Sequence, residues 1–466
     1  MKKSNRITAL VLGAVMAMGA LAGCGKQEAS GDVTKVTYWS GNSHAEAVVR
    51  EFIDNYNQNQ GKKDGIEIEF TIQGGDSMTQ NLELALQSGT APDIWEGGSL
   101  ESLAEKGYIM SYDDIYGSDI DALKKKYEGK LKNGSDYYKG KLYQVPTSVG
   151  DVMGIIYNKD MFKAAGIVDE KGEAKPPTTL EEMREDAKKL TDASKKQYGI
   201  IYPKKWTGWY GSDVQSPSFT YVGRTGYNPK ENVFDYEFIK PYMQVILDMR
   251  DDGSVYPGAD SLDNDTARAL FAEGNIGMKY GFSFDVGVLN DQFPAKCDWG
   301  AAPIPIVDAE HDYKLSGTYG RSQFVNAAST VPKEKLKKVM ELLLSDEYFA
   351  AMYKGGVMLP LNSEATEGVQ LDNPKKGWED FMEISKDVKE ANWGPKTDMA
   401  GLRSLDALFL EEVWAGNMTI DDAVKQGTDN VNKARQIYAE AHTDYDTNEK
   451  AEPDWAPELK ERSKNK

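Results

Sequence analysis

The sequence predicts an α/β fold built around a parallel sheet. Over residues 33–95, short apolar runs typical of strands alternate with apolar residues at three- to four-residue spacing, which is typical of amphipathic helices. The order is strand, helix, strand, helix, strand, and strands joined by helices form parallel sheets with right-handed crossovers. At 466 residues, the chain is long enough for two or three domains with sizeable cores.

The clearest element is the strand predicted over residues 66–72, where isoleucine and phenylalanine alternate strictly with polar residues. Residues 33–39 form the predicted strand before it, and residues 91–95 begin the strand after it. Amphipathic helices are predicted between these strands, over residues 45–56 and 78–86.

The α/β character continues to the end of the chain. A short apolar strand is predicted over residues 154–157, and capping threonines begin helices over 179–190 and 419–439. Residues 334–353 are predicted to form one long amphipathic helix, beginning after a proline. The segment from residue 444 onward is charged and contains prolines, so we expect it to be loose.

The first 24 residues are typical of an export signal. A positively charged start is followed by an apolar run over residues 7–23, too short to span a membrane, and by small residues before Cys24. Residues 21–24, Leu-Ala-Gly-Cys, resemble the bacterial lipobox, in which the cysteine is lipidated and becomes the new N-terminus. We therefore predict a signal peptide over 1–23, lipidation of Cys24 and a polar tether over 24–32; an ordinary secretory peptide that happens to contain a cysteine is the alternative.

The composition argues against several classes of function. The formal net charge of −19 opposes binding to nucleic acid or to an anionic membrane surface. The three histidines have no metal-ligand spacing and no phosphate-binding loop is present, so we expect neither a metal nor a cofactor. Cys297 is the only cysteine besides Cys24, so with Cys24 lipidated no internal disulfide can form.

Several segments, taken in order, resemble the extracellular solute-binding proteins of carbohydrate ABC transporters, the family that includes maltose-binding protein. The similar segments are residues 88–94 (SGTAPDI), 140–146 (GKLYQVP), 156–162 (IYNKDMF), 177–182 (PTTLEE) and 271–278 (FAEGNIGM). No single motif is decisive, but the ordered set is specific.

This resemblance implies a two-lobed periplasmic-binding-protein-like fold (type II), with the ligand cleft between α/β lobes joined by crossing hinge strands. The implied first lobe comprises residues 33–149 and 302–364. The second lobe comprises residues 150–301 and 365–445, and a charged tail follows over 446–466. Lobes of this kind close on a ligand as rigid bodies about a few hinge residues.

The resemblance also implies a function and a location. The protein would be held by lipid at the extracellular face of the cell membrane, capture a carbohydrate and deliver it to the permease subunits of an ABC transporter. The supply of aromatic residues favours an oligosaccharide. A secreted glycoside hydrolase using paired carboxylates is one alternative. A lipoprotein scaffold for a protein partner is another.

Sugars present C–H faces that pack on aromatic rings and hydroxyls that need polar partners, so the expected site residues are of both kinds. Asn42 and Ser43 follow the first strand at the sheet edge where α/β proteins bind ligands, although they could instead only cap the next helix. Glu96 occupies the corresponding position after the third strand. Asp151 lies at the expected lobe crossing, where a simple hinge role is the alternative. Arg321 could bind hydroxyls or an acidic sugar, or form an ion pair.

The second lobe is expected to contribute the aromatic platforms. Trp206 and Trp209 belong to the densest aromatic cluster of the chain, in a loop-like stretch with glycine and lysine that favours a binding platform; packing in the core is the alternative. Phe284 and Asp285 follow the strand that ends the FAEGNIGM segment, where relatives carry stacking aromatics. Trp393 resembles the second-lobe aromatic residue that covers the sugar in several relatives.

Overall fold

The computed structural model describes residues 33–150, 152–361, 363–371 and 374–460, apart from the side chains of residues 75–77 and 363. The predicted signal peptide, Cys24 and Asp151 therefore lie outside the described residues. Within these ranges, every helix is too short or too polar to span a membrane.

Strands and helices alternate along most of the chain. The strands are β1 (Thr34–Ser40), β2 (Ile66–Ile72), β3 (Ile94–Trp95), β4 (Ile109–Met110), β5 (Tyr137–Tyr138), β6 (Lys141–Leu142), β7 (Pro146–Ser148), β8 (Met153–Asn158), β9 (Tyr198–Ile200), β10 (Tyr227–Asn228), β11 (Val233–Phe234), β12 (Ile276–Phe282), β13 (Trp299–Ala302), β14 (Leu315–Gly317), β15 (Gly320–Arg321), β16 (Phe324–Asn326) and β17 (Val388–Glu390). The α-helices are α1 (Glu46–Gln58), α2 (Gln60–Asp64), α3 (Gly75–Ser88), α4 (Leu100–Glu105), α5 (Tyr112–Tyr116), α6 (Ile120–Lys126), α7 (Lys159–Ala164), α8 (Leu180–Leu190), α9 (Ser216–Val222), α10 (Lys240–Asp251), α11 (Asn264–Ala272), α12 (Asp285–Gly287), α13 (Lys333–Leu343), α14 (Asp346–Lys354), α15 (Trp378–Ser385), α16 (Leu405–Leu408) and α17 (Ile420–Ala441).

The first lobe is built on a five-stranded sheet with the order β2-β1-β3-β16-β4. Strands β2, β1 and β3 are parallel, as the alternating pattern predicts, and β16 runs antiparallel to both β3 and β4. In β2 the buried and exposed side chains alternate, because successive residues of a strand point to opposite faces. The buried face packs with α1, α13 and α14 in one core.

The second lobe is built on a four-stranded sheet with the order β13-β8-β12-β9. All six residues of β8 are buried, because helices cover both faces of this sheet, and the strand is accordingly apolar up to its last residue, Asn158. Ile155 packs with α8 and α10 on one face, whereas Ile156 packs with α11 and α15 on the other. Helix α17 also joins this lobe, in the core that contains Ile155.

The chain crosses between the lobes along segments that pair with one another. Strand β7 pairs with β15, Ser148 bridges Pro360, and β14 pairs with β17. The return to the first lobe comes later than the predicted boundary at residue 302. Ile306 and Leu315 still pack in the second-lobe core, and the first-lobe sheet resumes only with β16.

The single helix predicted over residues 334–353 is wrong, because the structure has two helices there. Helix α13 ends at Leu343, and Ser345 begins α14 by accepting a hydrogen bond at its hydroxyl from the backbone N–H of Tyr348, at 3.1 Å. A serine followed by two acidic residues is a favourable helix start, and this local signal interrupts an otherwise continuous apolar periodicity.

The C-terminal segment is also better ordered than predicted over its described part, which ends at residue 460. Leu459 forms a β-bridge with Tyr313 of the second lobe. The backbone N–H of Lys460 donates to the carbonyl of Asp312 at 2.9 Å, and that of Lys314 donates to Glu458 at 2.8 Å. Main-chain pairing therefore fastens this charged segment to the second lobe.

Candidate ligand-binding cleft

A cavity of about 720 Å³ lies between the two lobes. The first lobe contributes the loop after β1, part of α3 and the end of β3, so the cavity lies at the carboxyl edge of the parallel strands. The crossing segments form its base and the second lobe closes the opposite side. The polar and aromatic wall residues are Asn42, Ser43, His44, Thr79, Glu96, Thr147, Ser148, Ser216, Phe282, Ser283, Phe284, Ser316, Thr318, Tyr319, Arg321, Gln323, Tyr348, Phe349 and Trp393.

Glu96 is fixed in the first-lobe wall by three donors. Its carboxylate accepts a hydrogen bond from the Tyr38 hydroxyl, one from the Ser40 hydroxyl at 2.5 Å, and one from the side-chain amide of Gln323 at 3.2 Å. These donors meet because β1 lies beside β3 and β3 lies beside β16. Burial and the nearby carboxylate raise the pKa of Tyr38, so its hydroxyl stays protonated and donates. The carboxylate is thereby oriented before any ligand arrives.

Asn42 and Ser43 are exposed on the loop after β1 and line the cavity. Asn42 precedes a short turn of 3₁₀-helix, but its side chain makes no capping hydrogen bond. Helix α1 begins after Ala45 rather than after either polar residue. Neither side chain therefore caps a helix through a hydrogen bond, and both are placed to contact a ligand in the cavity.

Arg321 lines the cavity, but carboxylates already occupy its guanidinium group. Its Nε lies 2.7 Å from Oδ1 of the fully buried Asp136, and its Nη2 donates to Glu390. A third bond runs from Nη1 to the carbonyl of Tyr319 at 2.9 Å. Lys132 completes the cluster at 3.0 Å from Glu390. Arg321 therefore ties the first lobe to β17 through an ion-pair cluster, which is the ion-pair alternative left open by the sequence.

Aromatic rings of the second lobe face the cavity. Phe284 stacks on Phe282, with ring centroids 5.2 Å apart and an interplanar angle of 16°. Trp393 also lines the cavity and is 50 % exposed; its ring forms an edge-to-face pair with Phe219, with the centroids 5.8 Å apart. The half-exposed Trp393 thus lies where a sugar C–H face could pack on it, whereas other rings already stack on Phe284.

The prediction of an exposed tryptophan platform is wrong for Trp209. This side chain is 0 % exposed and packs in the second-lobe core against Tyr202, Phe409 and Trp414, at centroid distances of 5.6, 6.2 and 6.0 Å. Trp206 is half-buried against the same core and is not part of the cavity wall. The aromatic cluster that looks like a loop in the sequence is therefore mainly a packing element.

Asp285 also lies away from the cavity. It is 1 % exposed, and its carboxylate accepts from Nε of Arg268 at 2.7 Å and from the backbone N–H of Phe282 at 2.9 Å. Both oxygens are used in holding the loop that carries Phe284. Asp285 therefore positions the aromatic wall and does not offer an acceptor to a ligand in this structure.

Sequence reasoning missed several wall residues. His44 lies one residue beyond the predicted pair Asn42 and Ser43, so its position after the first strand was a usable signal. Phe282 precedes the predicted Phe284 by two residues. The hydroxyls of the crossing segments carried no signal, because they converge only when distant parts of the chain pair at the hinge.

The described cavity wall combines one oriented carboxylate, several hydroxyls and amides, and flat aromatic surfaces. These are the groups that hydroxyl-rich ligands require. Within the described ranges, the structure contains no group of three or more histidine, cysteine or acidic side chains placed to hold a metal ion.

Comparisons with known proteins agree with this geometry. Residues 41–348 match the family described as bacterial extracellular solute-binding protein. A maltotriose-binding protein of Pyrococcus abyssi is 25 % identical over 292 residues, covering 59 % of this chain and 55 % of its own length. The sn-glycerol-3-phosphate-binding periplasmic protein of Brucella melitensis is 22 % identical over 425 residues, covering 84 % of this chain and 92 % of its own length.

Solved structures share the fold over nearly the whole chain. The maltose/maltodextrin-binding domain MalE from Bdellovibrio bacteriovorus, bound to maltotriose, superposes with a TM-score of 0.64 at 21 % identity, covering 87 % of this chain and 100 % of that one. The two-lobed fold expected from the motifs is therefore confirmed.

Proposed function

We propose that this chain, which belongs to the bacterial extracellular solute-binding protein family, captures a carbohydrate between its lobes and delivers it to an ABC transporter permease. The observation that carries the proposal is the interlobe cavity, in which an oriented carboxylate faces aromatic rings. Its size, about 720 Å³, lies within the range of roughly 300–1,000 Å³ typical of small-molecule sites. This volume and the aromatic supply favour an oligosaccharide.

The electrostatics of the wall favour a neutral sugar over a phosphorylated or acidic one. Arg321 is the only arginine or lysine in the described wall, and Asp136 and Glu390 already neutralise its guanidinium group. Glu96 adds a negative charge facing the ligand. An anionic ligand would therefore meet a carboxylate without a free cation, whereas neutral hydroxyls can donate to Glu96 in charge-assisted hydrogen bonds.

A binding role fits the wall better than glycoside hydrolysis does. Hydrolysis of a glycosidic bond uses two carboxyl groups on either side of it, about 5 Å or about 6.5–9.5 Å apart. Within the described wall, Glu96 is the single carboxylate, and three donors hold it as an acceptor. The relatives named above are binding proteins, and the same role is proposed for this chain.

The location is part of the proposal. Cys24 follows small residues and an apolar run, so its lipidation would hold the mature chain at the outer face of the cell membrane. Two acyl chains give stable anchoring where one is marginal. The receptor would then stay beside the permease that it feeds. Mass spectrometry of the protein from membranes, compared with a Cys24→Ala variant, tests this anchoring through the mass of the N-terminal peptide.

The direct test is a thermal-shift screen of the mature protein against maltotriose, raffinose, ribitol and sn-glycerol 3-phosphate. A ligand that binds only the native state stabilises it by about 2.7 kcal/mol when present at one hundred times its dissociation constant. We expect a rise in melting temperature with at least one neutral sugar and none with the phosphate. Calorimetry then gives the affinity, and a reducing-sugar assay reports turnover.

A matched pair of variants links the signal to the cavity. Glu96→Gln keeps the shape of the side chain but removes its charge, and charge-assisted hydrogen bonds contribute about 1.5–3 kcal/mol, so we expect roughly ten- to hundredfold weaker binding. Glu170→Gln, in an exposed loop of the second lobe, is the control and should bind like the wild type. The proposal would be contradicted if sn-glycerol 3-phosphate were the only compound of the panel to raise the melting temperature. Steady release of reducing sugar from a bound oligosaccharide would also contradict it.

A further inference from the structure

A stacked ring pair spans the cleft from one lobe to the other. His44, from the loop after β1, stacks on Phe284 of the second lobe with centroids 5.2 Å apart and an interplanar angle of 2°. Phe284 in turn stacks on Phe282. Because His44 and Phe284 belong to different lobes, this contact forms only when the lobes approach each other. The structure therefore represents a closed arrangement in which an imidazole forms part of the closing contact.

The surroundings of His44 are unfavourable for a positive charge. Its Nδ1 is buried and has no hydrogen-bond partner among the residues that the structure describes. On the second-lobe side it faces Arg268, whose Cζ lies 5.5 Å from the Phe284 ring centroid. Burial of the imidazole is the main cause that lowers the pKa of His44 below its ordinary value of 6.5, and the positive charge of Arg268 lowers it further.

The other charged groups near His44 do not reverse this effect. Asp285 and Asp265 favour the protonated form, but each accepts a hydrogen bond from the Arg268 side chain, at 2.7 and 2.8 Å respectively. On the first-lobe side, the charged group of the described wall is Glu96, which three donors already hold. A protonated imidazole would therefore have a buried N–H donor without an acceptor beside a guanidinium group.

We propose that His44 is the pH-sensitive closing contact of the cleft: its neutral ring stacks on Phe284 to hold the lobes closed on a ligand, and its protonation favours opening and release. The proposal rests on the proposed function for its ligand but concerns the closing step. His44 acts here as a positioning residue that couples lobe closure to proton binding.

The direction of the pH dependence follows from linkage. In an open cleft the exposed imidazole should have a pKa near 6.5, whereas in the closed cleft its pKa is lower. Above about pH 7.5 the ring is neutral in both states and closure is unaffected. As pH falls through 6.5, protons bind preferentially to the open state, so affinity declines until pH passes below the pKa of the closed state. The loss is about tenfold for each pKa unit that separates the two states.

The variants that test the proposal preserve ring stacking while removing the titratable group. His44→Phe should keep the contact with Phe284 but lose its response to pH. His442→Phe is the matched control, because the His442 ring also stacks on an aromatic ring, with its centroid 4.0 Å from that of Tyr438, but His442 is exposed at the C-terminal end of α17 and is not part of the cleft. The dissociation constant for maltotriose is measured for each protein at pH 7.5 and 5.0.

Two readouts that do not depend on turnover accompany the affinities. With only three histidines in the chain, the imidazole signals can be assigned by NMR and the pKa of His44 followed with and without maltotriose. Small-angle scattering of the sugar-free protein gives the radius of gyration at both pH values. We expect the sugar to lower the pKa of His44, and acid to enlarge the wild type and the His442→Phe variant but not His44→Phe.

The outcomes separate this inference from the proposed function. If no panel sugar binds to the wild type at pH 7.5, the proposed function fails, and scattering alone decides whether His44 controls opening. If sugar binds but His44→Phe loses affinity in acid as steeply as the wild type, the inference is wrong and the proposed function stands. Equal radii for all three proteins at the two pH values would also overturn it.

Discussion

Trp209→Ala is the substitution that separates the two interpretations of the tryptophan cluster. The sequence favours an exposed sugar platform, whereas the structure places this ring in the core of the second lobe with no exposed surface. It packs among Tyr202, Phe409 and Trp414. A platform residue would affect sugar affinity when removed, while a core residue would affect the free energy of unfolding.

The expected magnitude follows from the surface that the ring buries. A buried tryptophan removes roughly 150–250 Å² from water, which at about 25 cal/mol per Å² corresponds to about 4–6 kcal/mol. Measured losses for Phe or Trp to Ala in cores are about 3–5 kcal/mol, because the cavity left behind closes only partly. At roughly 2–4 °C per kcal/mol, the unfolding midpoint of the affected lobe should fall by about 6–20 °C.

Urea unfolding followed by far-ultraviolet circular dichroism measures the stability, and calorimetry on the folded protein measures sugar affinity. Trp393→Ala is the matched control, because this tryptophan is half-exposed in the cleft wall. Its removal should lower stability by about half as much as that of Trp209, because only half of the Trp393 side chain is buried. Covering its exposed half with sugar corresponds to about 2–3 kcal/mol, so its loss should weaken binding roughly 30- to 150-fold.

The opposite pattern would refute the reasoning. If Trp209→Ala unfolds within 2 °C of the wild type, the effect of about 1 kcal/mol or less, but binds sugar more than tenfold more weakly, then the ring meets the ligand. In that case the packing of the second lobe described above would be wrong at this position. If Trp393→Ala instead lost as much unfolding free energy as is expected for Trp209→Ala, and its sugar affinity as well, its assignment to the cleft wall would be contradicted.

Two further predictions concern the hinge and a buried carboxyl group. Gly150 has φ +81°, and a Cβ added there would lie 1.8 Å from the Thr318 carbonyl oxygen, so Gly150→Ala should lower the unfolding free energy by more than about 3 kcal/mol. Gly166 has a similar φ but open space around it, so the control Gly166→Ala should lower the unfolding free energy by about 1 kcal/mol. Equal losses of the two variants in urea titrations would contradict this prediction. Burial raises the pKa of Asp213 from 3.8 to about 7, despite nearby Lys279, so the folded state binds the proton more tightly and loses stability as pH rises from about 4 to 7. Asp213→Asn should therefore gain stability relative to wild type between pH 5 and pH 7.5, and parallel pH profiles in urea unfolding would disprove the assignment.

Much of the fold could be predicted because it depends on local patterns. The alternation in β2 and the capping threonine before α8 act within a few residues, so their elements appear where expected. The break between α13 and α14 was missed, although Ser345 is also a local signal, because the apolar periodicity on either side is continuous. The cleft could be predicted only in part: Glu96 and Asn42 follow strand ends, and that position is encoded in the sequence.

The class of fold, the order of its motifs and the residue types available for a site can all be inferred from local patterns in the chain. How those residues are used depends on which distant segments pack against them. Trp209 and Asp285 have suitable chemistry, but one is enclosed by core rings and the other is bonded to Arg268. His44 is a candidate closing contact only because the Phe284 ring of the second lobe stacks on it. Burial and pairing depend on segments far apart in the chain, so composition and spacing cannot reveal which polar or aromatic side chains remain free to meet a ligand.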